Sequence, residues 1–171
     1  PLLTEIGAWR DSTVNDHYTT HPRTYNKVRY GGFYTQEQVK EIVAYAASKY
    51  IQVVPEIEMP GHARAALAAY PQYSCTGEHL GVEGLWGIFD DIFCAKEESI
   101  IFLQDVLSEV IPLFPSAYIH VGGDEAPKTR WKECPKCQAV IQANGLHDEH
   151  ELQSYFIQRM DAFLTANGKK L

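Results

Sequence analysis

Apolar residues recur at helical spacing in three long stretches of this chain, and two short unbroken apolar runs lie between them. In "YTQEQVKEIVAYAASKY" the positions Val39, Ile42, Val43, Ala46, Ala47 and Tyr50 share one face of a helix, and Thr35 with Gln38 makes a capping-box pattern at its start. "EESIIFLQDVLSEVIPLF" repeats the spacing through Leu103, Val106, Leu107, Val110, Ile111 and Phe114, with acids in its first turn and Pro112 at its end. "DEHELQSYFIQRMDAFLTANG" does so through Leu152, Tyr155, Phe156, Met160, Phe163 and Leu164. Asp148 and Glu151 sit there in capping-box positions, and Asn167-Gly168 closes the helix. Each stretch predicts a helix with one buried face. Ile51, Val53 and Val54 form a run too short for a helix and ended by Pro55, so residues 51–57 read as a buried strand; "AYIHV" reads as a second.

The order is helix, strand, helix, strand, helix. Strands separated by long amphipathic helices imply parallel βαβ units and an α/β architecture, with strands covered on both faces. Residues 7–33 and 70–95 are irregular stretches rich in Gly, Asp, Tyr and His, and loops of that length in a compact domain are usually functional or mobile. No internal repeat or low-complexity segment interrupts the pattern. After Gly168, "KKL" repeats the helix-to-strand junction that precedes Ile51, so a third strand is expected to begin there. Two strands cannot close a sheet, and a (β/α)8 barrel takes about 250 residues. The chain is therefore expected to be part of a larger domain.

Composition narrows the classes. A hydrophobic share of 45% with 22% charged residues fits a globular chain of 171 residues. Lys plus Arg number 15 against 22 Asp plus Glu, a formal charge of −7, and no basic cluster offers a path for phosphates; nucleic acid is not an expected partner. No apolar run approaches the ~18–20 residues of a membrane span, and "PLLTEIGAWR" lacks the order of a signal peptide. The "CPKC" at Cys134 and Cys137 invites a zinc or redox reading. Zinc normally draws on a second pair of comparable spacing, whereas Cys75 and Cys94 lie 19 apart, which disfavours metal. A redox pair is expected after a strand at a helix start; here it follows a charged loop, so the favoured reading is a structural turn entering a short helix. No cofactor is expected.

Both predicted strands end in chemistry-bearing residues, "PEIEMPGH" at 55–62 and "GGDE" at 122–125. In parallel α/β folds, sites form at the carboxyl ends of the strands. Along the second strand Tyr118 and His120 share one face and Ile119 and Val121 the other, while Gly122-Gly123 lets a ligand or second backbone approach. Asp124 and Glu125 follow. Two neighbouring carboxylates in a partly dry site repel when both are ionised, so one can hold a proton near neutral pH and serve as a catalytic acid. Metal binding through His62, Asp124 and Glu125, or a solvated turn, stands beside that reading.

"PEIEMPGH", "ALAAYPQYSC" and "VLSEVIPLFPSAYIHVGGDEAPKTRW" resemble the family 20 glycoside hydrolases, the β-N-acetylhexosaminidases, and the resemblance runs over essentially all 171 residues. "PLLTEIGAWR" resembles the stretch after that family's second barrel strand. The resemblance implies a partial catalytic domain: strands three and four of a (β/α)8 TIM barrel with their flanking helices. It implies removal of terminal non-reducing N-acetylhexosamine from glycans by a retaining mechanism in which the substrate's 2-acetamido oxygen is the nucleophile, an exception to the two-carboxylate scheme. By motif position Glu125 resembles the general acid/base, Asp124 the residue that orients the acetamido group, and His62 the partner that holds the catalytic Glu. Glu58 stands where the family more usually has aspartate, one methylene shorter. Glu56 is expected to brace loops, His120 to face the barrel interior or pack as an ordinary histidine, and Trp86, Asp90 and Asp91 to solvate a turn rather than rim a sugar pocket. The family's substrate-binding arginine, an upstream aspartate and the pocket tryptophans lie on segments outside this chain, so the chain alone is expected to be inactive and, with open strand edges, to self-associate. The resemblance further implies a periplasmic, secreted or lysosomal-type compartment. A sugar-binding module without turnover, or a Cys134/Cys137 metal or redox domain, are the alternatives.

Overall fold

The computed structural model describes residues 2–171. It opens with a π-helical turn, Leu3–Gly7, followed by a short antiparallel pair, β1 (Trp9–Arg10) and β2 (Tyr30–Gly31). The pair closes an arm that a further antiparallel bridge, Val14 to Tyr25, extends, so the stretch expected to be irregular carries its own local pairing. Arg10 lies over Tyr30 and Arg29 over Trp9, at 4.9 and 4.8 Å from the ring centres.

Helix α1 (Gln36–Ser48) starts where its sequence signals it: Thr35 accepts from the Gln38 amide and Gln38 accepts from the Thr35 amide, a complete capping box. Its predicted buried face is not buried in this chain. Ile42 is 44% exposed and Tyr50 wholly so, and no residue of α1 is buried. The same correction applies to the first strand. Ile51 and Val54 are 60% and 45% exposed, and regular pairing does not run over 51–57. Pairing is confined to Pro55–Met59: His120 N donates to Pro55 O (2.9 Å), Ile57 N to His120 O (2.9 Å) and Met59 N to Val121 O (3.0 Å). A continuous apolar run needs cover on both faces, and the described residues supply it on one only.

The ladder is parallel, as the element order requires, and it continues on the other side. Lys170 N donates to Ala117 O and Ile119 N to Lys170 O, so residues after the last helix pair with Tyr118 where a third strand was expected. Ile119 and Val121 point into the core while Tyr118 and His120 point out, the predicted alternation.

Helices cover the inner face. After α2 (Arg64–Ala69), α3 (Glu97–Val110) buries Ile100, Leu103 and Leu107; a 3₁₀ turn, Ile111–Leu113, holds Pro112. Two short helices, α4 (Thr129–Glu133) and α5 (Pro135–Ala143), follow, with Trp131 fully buried. In α6 (Glu149–Ala166) the buried residues Leu152, Phe156, Met160 and Leu164 keep strict spacing. Asp148 accepts from the amides of His150 and Glu151, but the Glu151 carboxylate turns to the His147 amide, so this cap is half of the predicted box. Among the described residues, no helix is long and apolar enough to cross a membrane.

Phe156, with no exposed surface, fills the space between α6 and Trp131. Phe156→Ala should cost about 3–5 kcal/mol through the cavity it leaves, and Asp148→Ala about 1 kcal/mol through two unpaired amides. Urea unfolding of both variants checks the ranking.

Candidate functional site

Two turns meet at the carboxyl ends of the paired segments. One, Pro60-Gly61-His62, leads into α2; the other, Gly122 to Ala126, leads toward α4. They touch backbone to backbone: a Cβ on Gly61 would lie 3.3 Å from both the Ala126 Cα and the Asp124 carbonyl oxygen. That approach sets His62 Nε2 at 3.3 Å from Glu125 Oε2 and 3.8 Å from Asp124 Oδ2. The sequence-predicted trio is thus one cluster. Its ligand atoms lie within 4.8 Å of one another, so it also has the spacing to hold a cation.

His62 and Glu125 both adopt left-handed backbone, with φ of 48° and 45°. Such conformations cost a non-glycine residue of order 1–3 kcal/mol and collect at functional sites. Gly122 has a φ of 68°, which favours glycine, and a Cβ there would displace the Glu58 carboxylate. The outgoing loop is held from α6. Gln153 Nε2 donates to the Gly123 carbonyl, and Lys128 Nζ donates to Gln153 Oε1 and to the Ala126 carbonyl. Burial holds the Lys128 ammonium below its ordinary pKa. Neither Gln153 nor Lys128 carries a sequence signal for this role.

The dry environment expected for the paired acids is not supplied by this chain: the Asp124 and Glu125 side chains are 65% and 46% exposed. The carboxyl that loses water is Glu58. Its Oε2 is buried without a hydrogen-bond partner, and burial first, then the Asp124 charge and a hydrogen bond with Glu56, push its pKa above the ordinary 4.5. The extra methylene relative to aspartate carries this carboxylate onto Gly122.

His120 is not packed as an ordinary histidine; it lies on the ladder face away from the helices. Its Nδ1 accepts from the Gly122 amide at 3.1 Å and lies 3.0 Å from Glu56 Oε1, on the face of the ladder that the helices leave open. Glu56 lies beside His120 across the ladder. Asp91 does not solvate a turn: it is 8% exposed and grips Arg64 and Arg130 with its two oxygens. Asp90 remains exposed. Trp86 is 63% exposed, packs on Tyr18, and with His62, Arg64 and Phe89 lines a pocket of about 270 Å³ beside the cluster. The expectation that Cys75 and Cys94 lie too far apart in sequence to join Cys134 and Cys137 is also corrected, because the fold brings all four sulfurs within 4.8 Å of one another. Cys134 caps α5, so the reading of "CPKC" as a turn entering a short helix describes its backbone.

Residues 1–171 match the family description "Glycosyl hydrolase family 20, catalytic domain". A β-hexosaminidase of Porphyromonas gingivalis is 51% identical over 172 residues, which cover 100% of this chain and 21% of that protein. The crystal structure of a β-N-acetylhexosaminidase superposes with a TM-score of 0.89 at 33% identity, covering 99% of this chain and 34% of the other. The exo-β-N-acetylglucosaminidase of Vibrio harveyi, solved in complex with N-acetylglucosamine, does so at 0.77 and 37% identity, with 99% and 26% covered. The chain thus spans between a fifth and about a third of the length of these relatives.

Because Glu58 titrates higher in the folded protein than its ordinary 4.5, the native state favours its protonated form. That stabilisation is complete below the unfolded pKa and is lost as pH rises through the raised folded value. Glu58→Gln keeps the shape and removes the titration, so the melting temperature of the variant relative to wild type should climb as pH rises from below 4.5 through the raised folded value. A pH-independent difference would contradict the assignment.

Proposed function

The chain belongs to glycosyl hydrolase family 20, and on that premise we propose that the protein carrying it releases terminal non-reducing N-acetylhexosamine from glycans or glycoconjugates by substrate-assisted catalysis. The observation that carries the reading is the convergence of His62, Asp124 and Glu125 at the mouth of a parallel ladder. The names of the relatives and the N-acetylglucosamine held by the Vibrio harveyi enzyme support the substrate class. The elements described here then form the third and fourth strands of a (β/α)8 barrel with their helices. Tyr118, His120 and Glu56 lie on the face that would look into its interior.

In this reading Glu125 gives its proton to the glycosidic oxygen as the bond to the anomeric carbon breaks. The acetamido oxygen of the same sugar attacks that carbon, forming an oxazolinium ring. Water then opens the ring, giving a proton to the Glu125 carboxylate and restoring the acid. Asp124, ionised, accepts the acetamido N–H and balances the positive charge that develops on the nitrogen. His62, 3.3 Å from Glu125, fixes the carboxyl between its two roles. The adjacency of the two acids thereby has a function: one serves the leaving oxygen, its neighbour the forming ring.

The chain by itself is inert in this account, since other parts of the barrel contribute to the pocket. The exposed Tyr45, Tyr50, Ile51 and Val54 favour self-association of the isolated chain; light scattering showing a monomer at micromolar concentration, or cleavage of a chromogenic N-acetylglucosaminide by the chain alone, would contradict it. In the full-length protein, Glu125→Gln should abolish turnover of substrates with poor leaving groups while ligand binding persists. Asp124→Asn should lower the rate by about 10²-fold or more, and only for substrates bearing the 2-acetamido group. Unchanged turnover by the first variant, or equal losses on sugars lacking the acetamide, would overturn the role given to each residue.

A further inference from the structure

The four cysteines converge in a pattern that neither packing nor disulfide pairing accounts for. Cys75 Sγ lies 3.7 Å from Cys137 Sγ, Cys137 lies 3.6 Å from Cys94, and Cys94 lies 3.8 Å from Cys134. A tetrahedral ion bound by sulfurs at about 2.3 Å has sulfur–sulfur edges of about 3.8 Å, so three edges of that tetrahedron are already in place. Disulfides would draw the sulfurs together in exclusive pairs at about 2.05 Å. Here all four are free, and Cys94 and Cys137 each face two partners equally.

The surroundings match a closed site. Cys94 and Cys137 have no exposed surface, Cys134 has 4%, and Cys75 is half-buried, which leaves no open position for a substrate. Cys134-Pro-Lys-Cys137 wraps the start of α5, whose positive end favours thiolates. Soft sulfur ligands in tetrahedral array select zinc among the common divalent ions.

We propose that Cys75, Cys94, Cys134 and Cys137 form a structural tetrathiolate site for one zinc ion. On binding, the four thiols release their protons to solvent and the sulfurs ligate the ion, with no redox change. The ion would tie three separate segments together. Cys75 follows the 3₁₀ turn Pro71–Tyr73; Cys94 follows Phe93, whose amide donates to Pro60 O and whose carbonyl accepts from Trp131 Nε1; and Cys134 and Cys137 open α5. The staple thus joins the loop lying against the His62 turn to the helices that follow Glu125.

The test is metal content of the full-length protein purified without chelator, measured by plasma mass spectrometry alongside thiol titration before and after chelation. The expected result is one zinc per chain, thiols that react only once the zinc is withdrawn, and a melting temperature that falls on its removal. Replacement by cobalt should give the visible bands and sulfur-to-metal charge transfer of a tetrahedral tetrathiolate, a readout on the wild-type protein that does not depend on any variant folding. Cys94→Ser and Cys137→Ser should each lose the zinc. Two disulfides in the intact mass, four freely reactive thiols with no zinc taken up on loading, or a cobalt spectrum of nitrogen or oxygen ligation would each overturn the proposal.

Discussion

Three backbone hydrogen bonds between Pro55–Met59 and His120–Val121 set everything else in register. In a parallel pair both strands leave the sheet at the same edge, so the turn after Met59 and the turn after Val121 must emerge side by side. Their apposition puts His62 against Glu125. A slip of one residue would turn Ile119 and Val121 out of the core and His120 into it, and would separate the two turns. The core formed by α3 and α6 therefore specifies the site.

Holding two turns in contact requires clasps. Asp91 reaches from the long loop to Arg64, two residues after His62, and to Arg130, five residues after Glu125. Gln153 and Lys128 bind the second turn to α6. The same long loop contributes Cys75 and Cys94 to the sulfur cluster. The left-handed backbone at His62 and Glu125 persists because these contacts, and the glycines at 61 and 122, leave the turns little alternative.

Periodicity made the three long helices, their caps and the alternation of Tyr118 to Val121 readable in the sequence, because each depends on contacts within a few residues. Motif spacing likewise pointed to His62, Asp124 and Glu125. Other features depend on residues distant in the chain. The exposure of α1 and of residues 51–54 departs from their sequence pattern because an apolar face signals what a helix or strand seeks, not what this chain supplies to cover it. Asp91 looked like a turn residue because its two arginines lie 27 and 39 positions away. The cysteines do not read as one cluster because ligand spacing along the chain says nothing of a loop folding back 40 residues. Glu58 was recognised as unusual, but its buried oxygen follows from Gly122, which only the ladder register brings beneath it.

The central claim is that His62 and Glu125 act as one unit because the ladder places them together. A double-mutant cycle on kcat/KM in the full-length protein, combining His62→Asn with Glu125→Gln, measures this directly. The account predicts that adding the histidine change to the Glu125 variant costs almost nothing beyond the loss already incurred, so the two effects are far from additive. Additivity within about 0.5 kcal/mol would show that the two residues contribute independently and would contradict it.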